Sequence, residues 1–200
     1  MAITGDSFWV RYSDHNQPTF LENAGNGQKW QRDTALKYVK SFRLCLDIGS
    51  NIGQWTRPLS KKFEKVICFE PNKNFIECFN KNITENNVVL YNYGLSDKEH
   101  TAKQEGSTTI LKNEPGDVEC KTLDSFNFTD VDLIKIDVDG FELQCVKGAV
   151  QTLTDNNPVL NIEMKWAKRP DVCNKVSKIL KSIGYIRTNT VKSDEVWLKT

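Results

Sequence analysis

Acidic residues at the ends of apolar segments are the first groups in this sequence that could do chemistry. The apolar run that begins at Leu44 reaches Asp47, and Gly49, Asn51 and Gly53 follow at alternate positions. Glycine and asparagine tolerate positive φ angles. This spacing therefore predicts a tight turn between a strand and a helix, where a ligand can approach bare backbone.

The carboxylate of Asp47 indicates which ligand this turn would accept. A dinucleotide brings a pyrophosphate to such a turn, and a neighbouring carboxylate would repel it. The order Asp-x-Gly-x-Asn-x-Gly also differs from the Gly-x-Gly-x-x-Gly of dinucleotide sites. We therefore expect a ligand with cationic groups, such as the ammonium and sulfonium of S-adenosylmethionine (SAM). The alternative is that Asp47 only caps the following helix.

A second acid follows the next apolar segment, about 20 residues later, where Rossmann-like folds bind ribose hydroxyls through a carboxylate. This residue is Glu70, which follows the segment 65–69 and precedes Pro71. Two acids in this register favour a cofactor site more strongly than either acid alone. The predicted cofactor-binding residues are Asp47, Gly49, Ser50, Asn51, Gly53, Gln54, Trp55, Glu70, Pro71, Leu95 and Asp137.

Polar groups also follow two later strands, and the predicted catalytic residues are Lys135, Asp137 and Glu163. Alignment of donor and acceptor supplies much of the catalysis of methyl transfer, but removal of a hydroxyl proton needs a base such as Asp137 or Glu163. Lys135 shares a strand face with Asp137 and either lowers the pKa of a substrate hydroxyl or neutralises the acids. The structural alternatives are a helix cap for Asp137 and an ion pair with Lys165 for Glu163.

The segment after the predicted fourth strand bears on metal use and on the acceptor atom. Asp137, Asp139 and Glu163 could together bind Mg²⁺ with waters, although the main prediction is a site without metal. The turn Asp137-Val-Asp-Gly140 lacks the Asn/Asp-Pro-Pro-aromatic sequence of methyltransferases that act on the amino groups of bases. Oxygen is therefore the predicted acceptor atom.

Apolar segments alternate with helical segments, which predicts an α/β fold of right-handed βαβ units with a mostly parallel sheet. The predicted strands are 43–48, 65–69, 87–93, 131–137 and 159–165, and the predicted helices are 28–41, 53–62, 72–83, 142–153 and 171–183. Segments 185–189 and 195–199 predict a C-terminal antiparallel hairpin. We predict a single domain over 1–200, with an N-terminal arm and helix over 1–42 and a Rossmann-like core over 43–200 that carries an insertion near 94–123.

Composition argues against several classes of protein. The 200 residues carry a net charge of +1, so no strong basic field indicates a nucleic acid or membrane partner. No apolar run approaches the roughly 18 residues of a membrane span, and no secretory signal is visible. Six widely spaced cysteines and two isolated histidines argue against disulfides and zinc. We expect a cytoplasmic protein, and residues 1–27 either pack on the domain or form a flap over its site.

Taken together, these motifs resemble the FkbM-type SAM-dependent methyltransferases. The similar segments are 46–53, 68–71, 94–97, 122–124, 133–142 and 146–149. The run Lys-Ile-Asp-Val-acid-Gly before a Lys-Gly-Ala helix is the specific part, while Ser50 and Asp139 replace the alanine and glutamate common in the family. The resemblance implies a seven-stranded class I methyltransferase fold, SAM as cofactor, and methylation of sugar or polyketide-type hydroxyls. It assigns SAM binding to Asp47, Gly49, Asn51, Gly53 and Glu70, with Asp137 closing the site.

The main prediction is therefore methyl transfer to a hydroxyl of a sugar, glycan or small metabolite. One alternative is an RNA 2′-O-methyltransferase that uses Asp137 with lysine and glutamate partners, although phosphate contacts need clustered cations that a net charge of +1 does not suggest. A second is a non-catalytic SAM-binding accessory protein. A third is a nicotinamide dehydrogenase, against which Asp47 argues.

Overall fold

The computed structural model describes residues 2–3, 7–10, 26–105, 110–112 and 114–199. Within these ranges the helices are α1 (Lys29–Leu36), α2 (Thr56–Ser60), α3 (Lys73–Asn82), α4 (Glu142–Lys147), α5 (Val150–Asn156) and α6 (Pro170–Ser182). The strands are β1 (Ala2–Ile3), β2 (Trp9–Val10), β3 (Leu44–Ile48), β4 (Lys65–Phe69), β5 (Val88–Tyr91), β6 (Gly94–Leu95), β7 (His100–Glu105), β8 (Ile110–Lys112), β9 (Val118–Lys121), β10 (Val131–Ile136), β11 (Val159–Glu163), β12 (Tyr185–Val191) and β13 (Asp194–Lys199).

Seven strands form the central sheet in the order β12-β13-β11-β10-β3-β4-β5. The strands β11, β10, β3, β4 and β5 run parallel, and β13 joins β11 in antiparallel fashion and pairs with β12 as a hairpin. Every residue of β3 is buried, as expected for the centre of a parallel sheet with both faces covered. The predicted α/β architecture, including its C-terminal antiparallel hairpin, is confirmed.

Side chains alternate between the two faces of β3, so one strand contributes to two apolar cores. Leu46 and Ile48 pack with residues of α4, α5 and α6, whereas Cys45 packs with residues of α1, α2 and α3. Each fully buried leucine or isoleucine contributes about 1.5–3 kcal/mol relative to an exposed side chain. The two helical layers thus hold the strand ends at one edge of the sheet.

The predicted insertion near 94–123 contains a second, four-stranded sheet in the order β6-β9-β7-β8. Strand β6 pairs with β9 in parallel, and β9 pairs with β7 in antiparallel fashion. Of the β-like segment 108–111, residues 108 and 109 lie outside the described residues, while 110 and 111 belong to β8. This sheet places Leu95 beside the carboxyl ends of the central strands.

Only part of the predicted N-terminal arm lies among the described residues. There, β1 and β2 pair in antiparallel fashion, and Phe8 and Val10 are buried against Ile52, Phe75 and Cys78. Most of 1–27, including Tyr12 and Phe20, lies outside the described residues. The described part therefore packs on the domain, and the alternative of a flap stays a prediction.

One helix predicted over 142–153 is two helices in the structure, α4 and α5. Gly148 follows α4, and a Cβ atom at Gly148 would lie 2.0 Å from the carbonyl oxygen of Ser96. Gly148 thus lets the two backbones approach closely at the junction between the two helices. The predicted helix over 53–62 is likewise shorter, since turns occupy the residues before Thr56.

Two expectations from composition concern membranes and disulfides. Among the described residues, no helix combines the length and the apolar character that a bilayer crossing requires. All six cysteines are free and buried.

Candidate functional site

The glycine turn after β3 is held against the neighbouring strands by its backbone. Gly49 has φ of 74°, and a Cβ atom there would lie 1.9 Å from the carbonyl oxygen of Asp137. The amides of Gly49 and Ser50 donate to the carbonyl of Phe69 at 2.9 and 3.1 Å. Only glycine fits this close passage, so the turn forms a fixed floor between β10 and β4.

Glu70 is fixed by two backbone amides at the end of β4. The amide of Asn51 donates to its Oε2 and the amide of Asn72 donates to its Oε1, each at 2.9 Å. Asn51 has φ of 52°, the left-handed conformation that turns its amide toward Glu70. The carboxylate is 1% exposed, yet it lines the cavity described below.

Asp47 lies beneath the turn and does not line the cavity. Lys135 Nζ is 3.1 Å from its Oδ1, and Thr56 donates its hydroxyl to Oδ2 at 2.6 Å. Lys135 also donates to the carbonyls of Gly49 and Ile48. Burial by itself lowers the pKa of Lys135, but the charges of Asp47 and Asp137 outweigh burial and raise it. Lys135 thus neutralises Asp47, which was the second of its two predicted roles.

A cavity with about 740 Å³ of empty space, part of it open to solvent, lies over the turn. It lies at the carboxyl ends of the parallel strands, where open α/β sheets bind their ligands. Predicted residues in its wall are Gly49, Ser50, Asn51, Gln54, Trp55, Glu70, Pro71, Leu95, Lys135 and Asp137. Gly53 is not in the wall: its φ is 94°, and a Cβ atom there would lie 2.8 Å from Cδ1 of Ile83. Gly53 therefore serves helix packing.

The carboxylates that follow β10 and end β11 form a cluster around one lysine. Oxygen atoms of Asp137, Asp139 and Glu163 lie within 4.8 Å of one another. Lys165 Nζ lies 2.5 Å from Asp139 and 2.6 Å from Glu163, and Ser193 donates its hydroxyl to Glu163 at 3.3 Å. The predicted ion pair between Glu163 and Lys165 is present, within a larger group that includes Asp137.

The two central carboxyl groups differ in their pKa values. Burial and the charge of Asp137 raise the pKa of Glu163 to about 7. Burial also opposes ionisation of Asp137, but Lys135 and a hydrogen bond from Gln28 lower its pKa. Because two close carboxylates resist ionising together, the charge of Asp137 opposes the ionisation of Glu163. Opposite shifts of this kind separate the roles of acid and base in enzyme sites.

The ammonium of Lys165 bears on whether this cluster needs a metal ion. It already lies within ion-pair distance of two of the three carboxylates, at the position that a divalent cation would share. The negative charge of the cluster is therefore offset in part by Lys165. The site without Mg²⁺ and the alternative of a site with Mg²⁺ both stay predictions.

Gln28 belongs to the cavity wall and was not among the predicted residues. Its side-chain amide donates to Asp137 Oδ2 at 3.0 Å and accepts from the indole of Trp55 at 2.6 Å. A glutamine before an amphipathic helix carries no functional signal in the sequence. The apolar residues Val138 and Phe141 also line the cavity without having been predicted.

Comparisons with known proteins give the family of this chain. A model of the methyltransferase FkbM domain matches residues 47–187. The hexuronic acid methyltransferase AglP of Haloferax volcanii is 31% identical over an alignment of 135 residues, and the match covers 57% of this chain and 53% of AglP. The chain thus spans about half the length of this curated relative.

Solved structures with the same fold include an FkbM methyltransferase from Methylobacillus flagellatus KT, with a TM-score of 0.54 and 19% identity over 78% of this chain and 43% of that one. TYW2 of M. jannaschii, solved in complex with AdoMet, has a TM-score of 0.50 and 14% identity over 96% of this chain and 82% of that one. Identities this low show a class I methyltransferase fold and nothing finer. The match to the FkbM model, in contrast, covers most of the sequence, and the chain belongs to the methyltransferase FkbM family.

Proposed function

We propose that this chain is a SAM-dependent O-methyltransferase that acts on a hydroxyl of a sugar or a related small molecule. The observation that carries the proposal is the carboxyl pair Asp137 and Glu163, whose pKa values move in opposite directions beside the cavity at the carboxyl ends of the parallel strands. Membership of the FkbM family supports methyl transfer. A base with a pKa near neutrality supports a hydroxyl as the acceptor.

The residues of the cavity suit SAM. Glu70 offers a buried, fixed carboxylate for the ribose hydroxyls, and the turn from Gly49 to Asn51 offers close backbone for the methionine end. The buried hydroxyl of Ser50 has no hydrogen-bond partner among the described residues, which leaves a polar atom for a ligand to satisfy. SAM, when bound, supplies an electrophilic methyl group on a sulfonium whose departure needs no proton.

We assign to Asp137 the contact with the cationic groups of SAM that was first predicted for Asp47. It stays ionised, it lines the cavity, and one of its oxygens already accepts from Gln28. An ionised carboxylate there suits the ammonium of SAM, whereas the charge of Asp47 is matched below the turn by Lys135. The expectation of a cationic ligand is kept, with a different carboxylate facing it.

The hydroxyl of the acceptor must also lose its proton, and Glu163 is suited to accept it. With a pKa of about 7, a large share of Glu163 is unprotonated at neutral pH and can accept a proton. The ammonium of Lys165, 2.6 Å away, stabilises the carboxylate before and after transfer. These residues hold the hydroxyl, accept its proton and leave its oxygen directed at the methyl group.

A sugar acceptor is proposed from one relative. AglP of Haloferax volcanii is named a hexuronic acid methyltransferase, and it shares 31% identity with this chain over 135 residues. Hydroxyl-rich acceptors also suit the polar cluster at the mouth of the cavity. The proposal extends to sugars as a class and leaves the position of methylation open.

Labelled SAM tests the proposal with the whole protein. Calorimetry should show SAM binding that Glu70→Gln weakens, and label should enter a panel of hexuronic acids, uronate-containing oligosaccharides or neutral glycans. The matched control Glu64→Gln changes an exposed glutamate on the far side of the sheet. Absence of SAM binding contradicts the proposal, label in RNA favours the nucleic-acid alternative, and binding without transfer to any acceptor favours an accessory role.

A further inference from the structure

The side chain of Gln28 joins two walls of the cavity that are far apart in sequence. Its Nε2 donates to Asp137 after β10 at 3.0 Å, and its Oε1 accepts from Nε1 of Trp55 at 2.6 Å. Trp55 is 2% exposed and precedes α2. One amide thus spans the space between the glycine turn and the carboxylate cluster.

The orientation of this amide is dictated by its neighbours. An indole N–H can only donate, and an ionised carboxylate can only accept. A flipped Gln28 would turn its oxygen to Asp137 and its NH₂ to Trp55, so both hydrogen bonds would be lost. Trp55 therefore fixes which end of Gln28 faces Asp137, and Gln28 in turn fixes one oxygen of Asp137.

The backbone of Gln28 is in a conformation that glycine would adopt more easily. It has φ of 56° and ψ of 21°, the left-handed region, at the residue that precedes α1. Residues other than glycine are uncommon there and persist where their surroundings over-determine them. Glycine is also well tolerated before a helix. The presence of glutamine at this position thus points to a role for its side chain.

The first turn of α1 secures Gln28 from the other side. The carbonyl of Gln28 accepts from the amide of Arg32 at 3.1 Å, and Arg32, which is 5% exposed, donates to the carbonyl of Gln54 at 3.3 Å. The backbone of Gln28, through Arg32, and its side-chain oxygen, through Trp55, are therefore both anchored to the segment just before α2. A change in Gln28 should be felt at Trp55 and at Asp137 together.

We propose that Gln28 is a positioning residue that orients Asp137 and Trp55 toward the cofactor cavity. The part that concerns SAM rests on the proposed function, whereas the linkage of Trp55, Gln28 and Asp137 does not. With the amide in place, one oxygen of Asp137 is held by Gln28 and the other is left for the ligand or for Glu163. Without the amide, Asp137 and the indole of Trp55 each lose a hydrogen bond that fixes their orientation.

Three substitutions at Gln28 separate this role from simple packing. Gln28→Met keeps the size and removes both hydrogen bonds. Gln28→Glu keeps an acceptor for Trp55 and removes the donor to Asp137. Gln28→Gly relieves the left-handed backbone and removes the side chain. Lys29→Ala is the matched control, because Lys29 pairs with Asp33 in the same turn. The side chain of Lys29 is 53% exposed and that of Asp33 is 41% exposed.

The first measurement needs no ligand. In a ¹⁵N-labelled protein, the indole N–H resonance of Trp55, assigned with Trp55→Phe, should keep its position in Gln28→Glu and Lys29→Ala and move in Gln28→Met and Gln28→Gly. Gln28→Met should also lower the urea midpoint more in the wild-type background than in Asp137→Asn. An unmoved indole resonance with equal midpoint shifts in both backgrounds overturns the linkage.

The second measurement uses SAM. Gln28→Met and Gln28→Gly should each weaken SAM binding by about tenfold, the loss expected for one charge-assisted hydrogen bond, and Lys29→Ala should not. A Gln28→Gly protein that is more stable than the wild type and binds SAM equally well overturns the positioning role. If the intact protein binds no SAM while the indole and midpoint results hold, the proposed function fails and the linkage stands.

Discussion

The two sides of the cavity are built by different means. On the side of β3 and β4, backbone amides make the site: those of Gly49 and Ser50 hold the turn to Phe69, and that of Asn51 holds Glu70. On the side of β10 and β11, side chains make it, around Lys165. A backbone-built region is set by local sequence. A side-chain cluster depends on distant residues meeting, and it can titrate.

Lys135 lies on β10 and contacts Asp47 and the carbonyls of Ile48 and Gly49 on the other side of the cavity. Because it joins the two regions, its loss should have the largest effect of the substitutions considered below. Lys135→Met leaves Asp47, 0% exposed, without its cation. We expect the free energy of unfolding at pH 7 to fall by about 3–5 kcal/mol, as for other broken buried pairs. Urea denaturation measures this.

Two further variants check the cause of that loss. Asp47→Asn combined with Lys135→Met removes both charges and should recover much of the stability. Lys165→Met removes a cation that is 23% exposed and should cost about 1 kcal/mol. A Lys135→Met protein that is as stable as Lys165→Met would mean that the two regions are not joined through Lys135.

Glu163→Gln tests the side-chain region alone. Glutamine keeps the shape of the side chain but cannot take up the proton of the substrate hydroxyl. The rate of methyl transfer should therefore fall by about 10²-fold or more. SAM affinity should stay within a factor of about two, because Glu163 does not line the cofactor cavity. Initial rates at saturating SAM measure the effect. An unchanged rate would assign the proton to another group.

The backbone-built region could be predicted from the sequence better than the region built from side chains. Gly49, Asn51 and Glu70 were predicted because a strand, a turn and a second acid follow one another locally. The sequence could not show that Lys135 of β10 would reach Asp47, since that contact depends on the register in which β10 pairs with β3. Asp47 was therefore expected to face the ligand, and in the structure it lies below the turn.

Contacts between distant parts of the sequence also explain the other differences between the predictions and the structure. Gln28 meets Asp137 across 109 positions of sequence, and no local pattern announces such a contact. The close approach of Gly148, between α4 and α5, to Ser96 likewise joins different parts of the chain. By contrast, the order of strands and helices follows from hydrophobic periodicity and the handedness of βαβ units, which are local properties.

Gly49→Ala tests the backbone region alone. The new Cβ would overlap the carbonyl of Asp137, and alanine disfavours the φ of 74°. We expect a loss of about 1–3 kcal/mol in stability together with loss of measurable SAM binding. Gly184→Ala is the matched control: its φ is 88°, but its nearest neighbour is the flexible side chain of Lys199 at 3.5 Å. It should show part of the stability loss and normal SAM binding.

The smallest expected effect is a dependence of stability on pH that comes from Glu163. Its pKa is raised from the ordinary 4.5 to about 7, so between these values the folded protein binds more protons at Glu163 than the unfolded chain does. Stability contributed by this group is therefore present below pH 4.5 and declines as the pH rises to 7. The lowered pKa of Asp137 acts in the opposite sense, but only below its ordinary 3.8.

Melting temperatures of the wild type and Glu163→Gln, compared at pH 5 and pH 8, isolate this contribution. Solvent screening reduces it, so we expect the wild type to lose about 2–4 °C relative to the variant over that interval. Glu64→Gln, which changes an exposed glutamate just before β4 and away from the cavity, should give a curve parallel to the wild type. If Glu163→Gln is also parallel to the wild type, Glu163 titrates as an ordinary surface carboxyl, and the contrast between a fixed wall and a titrating wall fails.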